Sequence, residues 1–378
     1  MSETNNPQAG VSAQNPAQLG NPLRFLSAIL DHANREKASD IHLRTKAPPI
    51  LRVDGVLRPV NEYPMLTLTF MEELAQTIMA PSHWDQFQED YQVDLSIGLK
   101  GIGRVRVNVY YQRGSVAMAL RVINTNVPKP DELRLPDIVN RLVDLERGLV
   151  IFTGATGSGK STSLASLINE INDKYAKHIL TIEDPIEFLF TERRSIISQR
   201  EIGVDANNFA GAMRATLRED PDVILLGEMR DYETMEIALT AAETGHLVFT
   251  TLHAPAAAET ITRMISVFPA TAQPTIRSKI AQNLYAVVAQ RLLPRHDGEG
   301  RVVATEVMTV SALIRELILD PLKGKEINDM IKKGSLGEGM LSFDESLFML
   351  CRQGEISEEV ALDHASSPTD LRLKLDGF

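Results

Sequence analysis

The stretch Gly154-Ala155-Thr156-Gly157-Ser158-Gly159-Lys160-Ser161 decides the fold of this chain. It matches the phosphate-binding pattern G-x-x-x-x-G-K-[ST]. The apolar run 148–153 before it predicts a buried strand, and the apolar spacing of 161–175 behind it predicts a helix. Because strand, glycine loop and helix follow in the order that a phosphate-binding loop needs, we reject the alternative of a plain Gly/Ser turn.

The residue types of this loop suit a nucleotide. Glycines let the backbone fold closely around phosphate oxygens, so that its N–H groups and the positive helix N-terminus face the negative charge. The Lys160 ammonium would reach the β- and γ-phosphates, and the Ser161 hydroxyl would bind Mg²⁺. The predicted nucleotide-binding residues are Gly154, Thr156, Gly157, Ser158, Gly159, Lys160, Ser161 and Thr162.

Composition defines a class of protein and argues against others. The 378 residues allow two or three domains, and 43% of them are hydrophobic, as in ordinary globular proteins. The net charge of −11 argues against binding nucleic acid or an anionic membrane by bulk charge. The lone Cys351 permits no intrachain disulfide and no cysteine-based zinc site. Since we find no signal peptide and no apolar run of about 18 residues, we expect a cytoplasmic protein without direct membrane insertion.

The first third of the chain predicts a small α+β domain at 21–123. Residues 1–20 lack large apolar side chains, so we expect a disordered tail before that domain. Asp54-Gly55 is a strong two-residue turn signal and predicts a hairpin. The proline-bearing residues 124–136 predict a linker behind the domain. Helices are expected from Pro22, at 67–79 and around 83–88, and strands at 39–43, 50–53, 56–60, 92–97, 104–111 and 116–123.

Strands and helices alternate from residue 137 onward, which predicts an α/β domain at 137–309. Its sheet should be parallel, with helices on both faces. After residue 310 the pattern becomes helical, and 310–378 is predicted to be a C-terminal helical region. The fold class is therefore α/β with a smaller α+β domain. The expected strands of the sheet are 149–153, 178–182, 222–226, 247–251 and, at an edge, 302–308.

Carboxylates follow two of these strands, at the end where ligands bind in open α/β sheets. In the segment 182–187, Glu183 or Glu187 could orient or deprotonate an attacking water, and spacing alone does not choose between them. An acidic turn ahead of a proline is the plainer alternative. Glu228 ends the strand at 222–226, the arrangement of a Walker B element that holds Mg²⁺ through water.

Histidines and arginines supply further candidates. His246 and His253 flank the strand at 247–251, and either could sense the γ-phosphate, although a lone histidine is often a structural residue. Neither has a convincing third partner for a metal site. Arg104, Arg106 and Arg121 lie in the first domain, where a ring could insert them into a neighbouring subunit as arginine fingers. Their alternative is a solvated strand face.

Four segments together resemble the type IV pilus twitching-motility retraction ATPases (PilT and PilU) of the type II/IV secretion superfamily: 154–162, 181–188, 218–231 and 240–253. The resemblance extends from about Pro22 to the C-terminus. It implies a PAS-like N-terminal domain, a RecA-like core and a homo-hexameric ring that hydrolyses ATP with Mg²⁺. Such rings act in the cytoplasm at the inner-membrane base of the pilus, on a membrane platform protein, and drive pilus retraction.

The resemblance also implies roles for single residues. Among the acidic residues it favours Glu187 as the catalytic one, with Glu183 as the weaker candidate. It assigns Glu228 to Walker B, and His246 and His253 to a histidine box.

Across a subunit interface, the resemblance matches Arg106 and Arg121 to the two arginines that these rings offer to their neighbours. Arg104 has a weaker claim.

Two features separate subtypes of this family. Assembly and type II secretion ATPases usually carry a tetracysteine zinc module, which one cysteine cannot build, and this favours retraction. The segment 309–316 keeps mainly the second half of the A-[IV]-R-N-L-I-R-E pattern of independent retraction motors. An accessory subunit that acts through a paralogous motor is therefore an open alternative. A ring translocase on nucleic acid is a more remote one, because the chain is acidic.

Overall fold

The computed structural model describes residues 20–53, 55–99, 103–123, 126–298, 300–334 and 339–377. The chain divides into two compact units at residue 124, and each is described by itself. Most of the predicted tail, residues 1–19, lies outside the described residues, as do Asp54 of the predicted turn and the first two residues of the predicted linker. In the part that is described, no helix is long and apolar enough to cross a membrane.

The first unit is a six-stranded antiparallel sheet in the order β3-β2-β1-β6-β5-β4, with helices packed on one face. Helix α1 begins after Asn21, whose side chain accepts hydrogen bonds from two backbone N–H groups, and α2 begins after Thr67, whose side chain accepts one from the N–H of Phe70. The strands are Asp40–Arg44 (β1), Ile50–Val53 (β2), Val56–Pro59 (β3), Gln92–Leu99 (β4), Gly103–Gln112 (β5) and Ser115–Val122 (β6); the helices are Pro22–Arg35 (α1), Leu68–Ile78 (α2) and Pro81–Asp90 (α3).

Alternation along β5 separates the two faces of this sheet. Val105, Val107 and Val109 are fully buried against the helices, whereas Arg104 and Arg106 lie on the opposite face and are only partly buried. Because successive strand residues point to opposite faces, the sequence predicts this division. The predicted hairpin is also confirmed, since Val53 of β2 pairs with Val56 of β3.

The second unit contains an eight-stranded sheet in the order β14-β13-β12-β7-β11-β10-β8-β9. The six strands from β12 to β9 in this order run parallel, β13 is antiparallel to β12, and β14 is antiparallel to β13. The strands are Gly148–Thr153 (β7), His178–Glu183 (β8), Ile196–Glu201 (β9), Val223–Leu226 (β10), Leu247–Leu252 (β11), Leu284–Pro294 (β12), Arg301–Thr309 (β13) and Met340–Leu341 (β14).

Helices cover both faces of this sheet. Every residue of β7 and β11 is buried, which explains their continuous apolar sequences. The helices are Asp137–Asn140 (α4), Lys160–Lys174 (α5), Phe209–Thr216 (α6), Tyr232–Glu243 (α7), Ala257–Ser266 (α8), Gln273–Asn283 (α9), Ala312–Leu319 (α10), Glu326–Lys333 (α11), Phe343–Arg352 (α12), Glu358–His364 (α13) and Pro368–Leu375 (α14), with a 3₁₀ turn at Arg141–Asp144.

Three apolar cores hold the second unit together. Helices α6 to α11 pack on one face of the sheet, and α5 packs on the other. A third core joins Ala289 and Leu293 of β12 to the C-terminal helices α12, α13 and α14, which we call the C-terminal bundle. The mixed α/β class predicted from the sequence is confirmed by this architecture and by its match to solved structures.

Three details of the predicted sheet were wrong. The sheet is mixed and not wholly parallel, because β13 returns antiparallel beside β12. The segment 302–308 is not at the edge, because β14 pairs outside it; for the same reason 310–378 is not wholly helical. Strands β9 and β12 were not predicted. Leu284 is both the C-cap of α9 and the first residue of β12, so no turn residue separates the helix from the strand in the sequence. In β9 the second half is polar, which weakens the apolar pattern of that strand.

Candidate nucleotide site

The glycine loop lies between β7 and α5, at the carboxyl edge of the parallel sheet. Gly154 has a φ of +141°, and a Cβ on it would lie 2.5 Å from the carbonyl oxygen of Gln290 and 2.6 Å from Ser158 Oγ. No side chain fits there. Gly159 has a φ of +90° and caps the N-terminus of α5. These two backbone positions require glycine, and they bring the loop close to its neighbours.

Lys160 is held by the loop itself. Its Nζ donates hydrogen bonds to the carbonyl oxygens of Gly154 at 2.8 Å and Ala155 at 2.9 Å, and only 7% of the residue is exposed. Burial lowers the pKa of the Lys160 ammonium, and the negative charge of Glu187 opposes this shift. The ammonium is therefore already at the loop, and a phosphate would replace the two carbonyl groups as its partner.

A cavity of about 360 Å³ opens in front of the loop, where β8, β10 and β11 end. The carboxyl ends of these parallel strands meet there, because Leu226 at the end of β10 pairs with Ile182 of β8 and with Thr250 of β11. Of the predicted nucleotide-binding residues, Gly154 and Ser158 support the loop without lining this cavity. The predicted residues that do line it are Thr156, Gly157, Gly159, Lys160, Ser161, Thr162, Glu183, Glu187, Glu228 and His253.

The two acidic candidates differ in their surroundings. Glu183 is buried at the end of β8, where its Oε1 accepts hydrogen bonds from Thr181 Oγ1 at 2.7 Å and Gln199 Nε2 at 3.3 Å. Burial outweighs these bonds and raises the pKa of the Glu183 carboxyl to about 7. Glu187 lies in the same cavity but is exposed. A water at the cavity can therefore reach Glu187 directly.

Glu228 and His253 meet at the far side of the cavity. Nε2 of His253 is 3.4 Å from Oε2 of Glu228, and Glu228 also forms an ion pair with Arg230. Burial lowers the pKa of the His253 imidazole, and the positive charges of Lys160 and Arg263 act in the same direction. The lowered pKa favours the neutral imidazole, which is able to orient a polar group without adding a charge.

Ser161 and Glu228 line the same cavity and offer hydroxyl and carboxylate oxygens. These are the ligand types that Mg²⁺ prefers, together with water and phosphate oxygens. The donor set therefore fits the predicted cation.

His246 does not line this cavity. Its Nδ1 lies 2.9 Å from the carbonyl oxygen of Ala241 and 3.2 Å from Thr244 Oγ1, at the C-terminus of α7. The six residues of β11 separate it from His253 by roughly 20 Å. His246 therefore cannot contact the γ-phosphate of a nucleotide that is bound to the loop of its own chain. In that respect the prediction that either histidine could sense the γ-phosphate is wrong for His246. Both ends of a strand cannot reach one ligand.

The arginine candidates belong to the first unit, whereas residues of the second unit line the cavity. Arg106 of β5 pairs directly with Arg121 of β6, so both lie on the sheet face opposite the helices, which Arg104 shares. Nη2 of Arg121 lies 2.7 Å from Oδ1 of Asp40, and its side chain is 65% exposed. The two arginines thus form one accessible basic pair.

Sequence reasoning missed several residues of the cavity wall. Leu292 comes from the unpredicted strand β12, and its side chain would contact a Cβ on Gly159 at 3.6 Å. The apolar run of β12 is the signal that could have revealed it, because a parallel strand beside β7 must end near the loop. The other lining residues without a predicted role are Leu164, Ala165, Asp184, Pro185, Phe188, Phe190, Phe209, Leu225, Gly227, Thr251 and Arg301.

The phosphate-binding loop at the carboxyl edge of a buried parallel sheet, faced by carboxylates on neighbouring strands, defines the chain as a P-loop nucleotide-binding protein. The profile of the Type II/IV secretion system protein family matches residues 17–334. The chain therefore belongs to that family.

Individual relatives are similar over most of the chain. The type IV pilus ATPase PilU of Pseudomonas aeruginosa is 42% identical over 342 residues, which are 89% of this chain and 87% of that protein. The type IV pilus retraction ATPase PilT of the same organism is 41% identical, over 91% of this chain and 98% of that protein. The crystal structure of a pilus retraction motor PilT with bound ADP has a TM-score of 0.84 and 44% identity, over 91% of this chain and 98% of that one.

Proposed function

We propose that this chain is an ATPase subunit of a motor that powers retraction of type IV pili and hence twitching motility. The observation that carries the proposal is the cavity that joins Lys160 and Ser161 of the loop to Glu187, Glu228 and His253. Its support from outside the site is the similarity to PilT and PilU at 41% and 42% identity. The match to a PilT structure with bound ADP supports a nucleotide as the ligand.

The chemistry follows from the positions of these side chains. Lys160 and the loop N–H groups bind the β- and γ-phosphates and offset their charge. Ser161 and Glu228 would hold Mg²⁺ when it is bound, and the ion would offset charge on the phosphate oxygens. Glu187 takes the proton of the attacking water as general base, and His253 orients the γ-phosphate or that water. Glu183 is a weaker candidate for the base, because hydrogen bonds and burial already engage its carboxyl.

The proposed architecture assigns the two units to known folds. The antiparallel sheet with helices on one face supports a PAS-like domain at 21–123, followed by a linker at 124–136. The loop-bearing parallel strands support a RecA-like ATPase core at 137–309, and α10 to α14 support a largely helical C-terminal region at 310–378.

We further infer a homo-hexameric ring in which the first unit of one subunit faces the nucleotide of another. Arg106 and Arg121 would then stabilise charge on the phosphates in trans, and Arg104 has a weaker claim. Their accessibility on one sheet face supports this role. The ring would work in the cytoplasm at the inner-membrane base of the pilus, on the platform protein of that membrane.

A second candidate function is an accessory subunit that acts through a paralogous retraction motor. The segment 309–316, which ends inside α10, keeps mainly the second half of the pattern of independent motors. The 42% identity to PilU supports this alternative as much as the identity to PilT supports the first.

The test combines hydrolysis and movement. Steady-state ATP hydrolysis by the purified chain is compared with that of Lys160→Ala, and pilus retraction is measured in cells that lack every other retraction ATPase. Turnover with retraction supports an independent motor. Turnover without retraction supports the accessory subunit, and absence of turnover in the wild-type chain contradicts the proposed enzyme.

A further inference from the structure

Strand β12 touches the phosphate loop through one of its faces. Gln290 is buried, and its Nε2 donates a hydrogen bond to Ser163 Oγ of α5 at 2.8 Å. Its main-chain oxygen lies only 2.5 Å from the position of a Cβ on Gly154, so the loop backbone rests directly on the strand. Leu292, two residues on, lies against Gly159. A displacement of the loop must therefore displace β12 or break these contacts.

The opposite face of β12 holds the C-terminal bundle. The guanidinium of Arg291 lies 3.8 Å from the ring centroid of Phe343 in α12, and its Nη1 donates a hydrogen bond to the carbonyl oxygen of His364 in α13 at 2.9 Å. Ala289 and Leu293 pack in the core of the same bundle. Since strand residues alternate in direction, neighbouring residues of one strand hold the loop and the bundle.

Two polar atoms at the loop have no partner among the described residues. They are Oε1 of Gln290 and Oγ of Ser158, and both are buried. A buried polar atom without a hydrogen bond is unfavourable, so a conformation that pairs either atom is favoured. A bound phosphate that accepts hydrogen bonds from Lys160 would replace those that Lys160 donates to the carbonyl oxygens of Gly154 and Ala155. The loop would then change where it contacts β12.

We propose that Gln290 is a positioning residue of the phosphate loop and that β12 couples occupancy of the loop to the C-terminal bundle. The proposal rests on the proposed function only in that a nucleotide binds the loop. Gln290 holds the loop side of the strand and Arg291 holds the bundle side. Because binding free energies are reciprocally linked, weakening either contact changes both nucleotide affinity and the order of the bundle.

The experiment uses the full chain with ADP as the probe. Hydrogen–deuterium exchange of residues 343–375 is measured with and without ADP, and the ADP dissociation constant is measured by calorimetry. We expect ADP to slow exchange in the bundle of the wild-type chain. Arg291→Gln, which changes no residue lining the cavity, is expected to abolish that slowing. The matched control is Arg352→Gln, because Arg352 stacks on Phe348 within the bundle but lies outside β12.

Gln290→Met keeps the volume of the side chain and removes both polar atoms. We expect about 5-fold weaker ADP binding and loss of the ADP-dependent protection of the bundle. Ser163→Ala removes the same hydrogen bond from the side of α5, and it serves as the second variant if Gln290→Met does not fold.

The outcomes are distinguishable. Wild-type chain that does not bind ADP contradicts the proposed function and this inference with it. Wild-type chain that binds ADP without any change of exchange in the bundle overturns the inference alone. A lower melting temperature of Gln290→Met with unchanged ADP affinity and unchanged bundle protection also overturns it, because a merely structural glutamine behaves in that way.

Discussion

A histidine lies at each end of strand β11, and the two histidines have different surroundings. His253, at the carboxyl end, faces the cavity and lies 3.4 Å from the Glu228 carboxylate. His246, at the amino end, lies against the last turn of α7 with Nδ1 2.9 Å from a carbonyl oxygen. Helix N-termini and loops gather at the carboxyl edge, whereas the C-terminus of α7 presents carbonyl acceptors at the amino edge. Position along the strand, more than residue type, therefore decides what a histidine can do.

The largest effect at the carboxyl edge is expected from Lys160→Ala. Loss of the Lys160 ammonium, which the loop carbonyls hold in place, should reduce turnover by roughly 10³-fold or more, because its positive charge no longer offsets the phosphate charge. Steady-state hydrolysis measures it. Lys174→Ala, at the other end of α5, is the control and should keep wild-type turnover. Normal hydrolysis by Lys160→Ala would remove the loop from the mechanism.

Glu187→Gln tests the assignment of the general base. Removing an exposed carboxylate that lines the cavity should lower kcat by roughly 10²- to 10³-fold while ADP affinity stays close to that of the wild-type chain. Single-turnover kinetics separates the chemical step from binding. The control is Glu243→Gln, which changes an exposed residue at the amino edge and should leave kcat unchanged. If the Glu187 variant turns over normally, Glu183 becomes the candidate base, and activity should then rise with pH through about 7.

Arg121→Ala tests whether a neighbouring chain supplies an arginine to the nucleotide site at the carboxyl edge. In a ring with arginines supplied in trans, turnover should fall by roughly 10²-fold, whereas nucleotide affinity per subunit should be nearly unchanged. Arg58→Ala, which removes an exposed arginine from β3 of the same sheet, is the matched control. Equal turnover of the two variants would exclude the trans role.

Changing each histidine of β11 in turn tests the comparison directly. His253→Ala should lower kcat about 10-fold, because the imidazole lies in the cavity. His246→Ala should leave nucleotide affinity intact and cost about 1 kcal/mol of unfolding free energy, since it removes a polar contact at the end of α7. Steady-state hydrolysis, calorimetry of nucleotide binding and chemical denaturation distinguish the two variants. Equal loss of turnover in both variants would contradict the separation.

The last prediction concerns the dependence of stability on pH. Burial raises the pKa of Glu183 from 4.5 to about 7, so the folded state keeps a proton that the unfolded state loses between these values. Stability is therefore expected to fall as pH rises from about 4.5 to 7, by about 3 kcal/mol at most. Glu183→Gln should remove this part of the pH dependence and be more stable than the wild-type chain at pH 8. Denaturation curves with the same pH dependence for both would contradict the burial argument.

Prediction from the sequence succeeded where local pattern and local chemistry coincide. The loop around Lys160 and the hairpin between β2 and β3 carry turn residues that leave few conformations open, and both stand where they were predicted. Strand β12 was missed because it follows α9 without a turn signal, and because its parallel neighbour β7 is far away in the sequence. Leu292 and Gln290 were missed with it, although both lie against the loop.

The sequence by itself determined the mixed α/β class, the phosphate loop and the residue types that could act on a nucleotide. Glycine conformations and strand periodicity depend on neighbours only a few residues away. Only the tertiary structure decided that Glu183 is buried while Glu187 is exposed, and that His253 joins Glu228 while His246 caps α7. Burial and proximity depend on which strands become neighbours, and that pairing joins residues from distant parts of the chain.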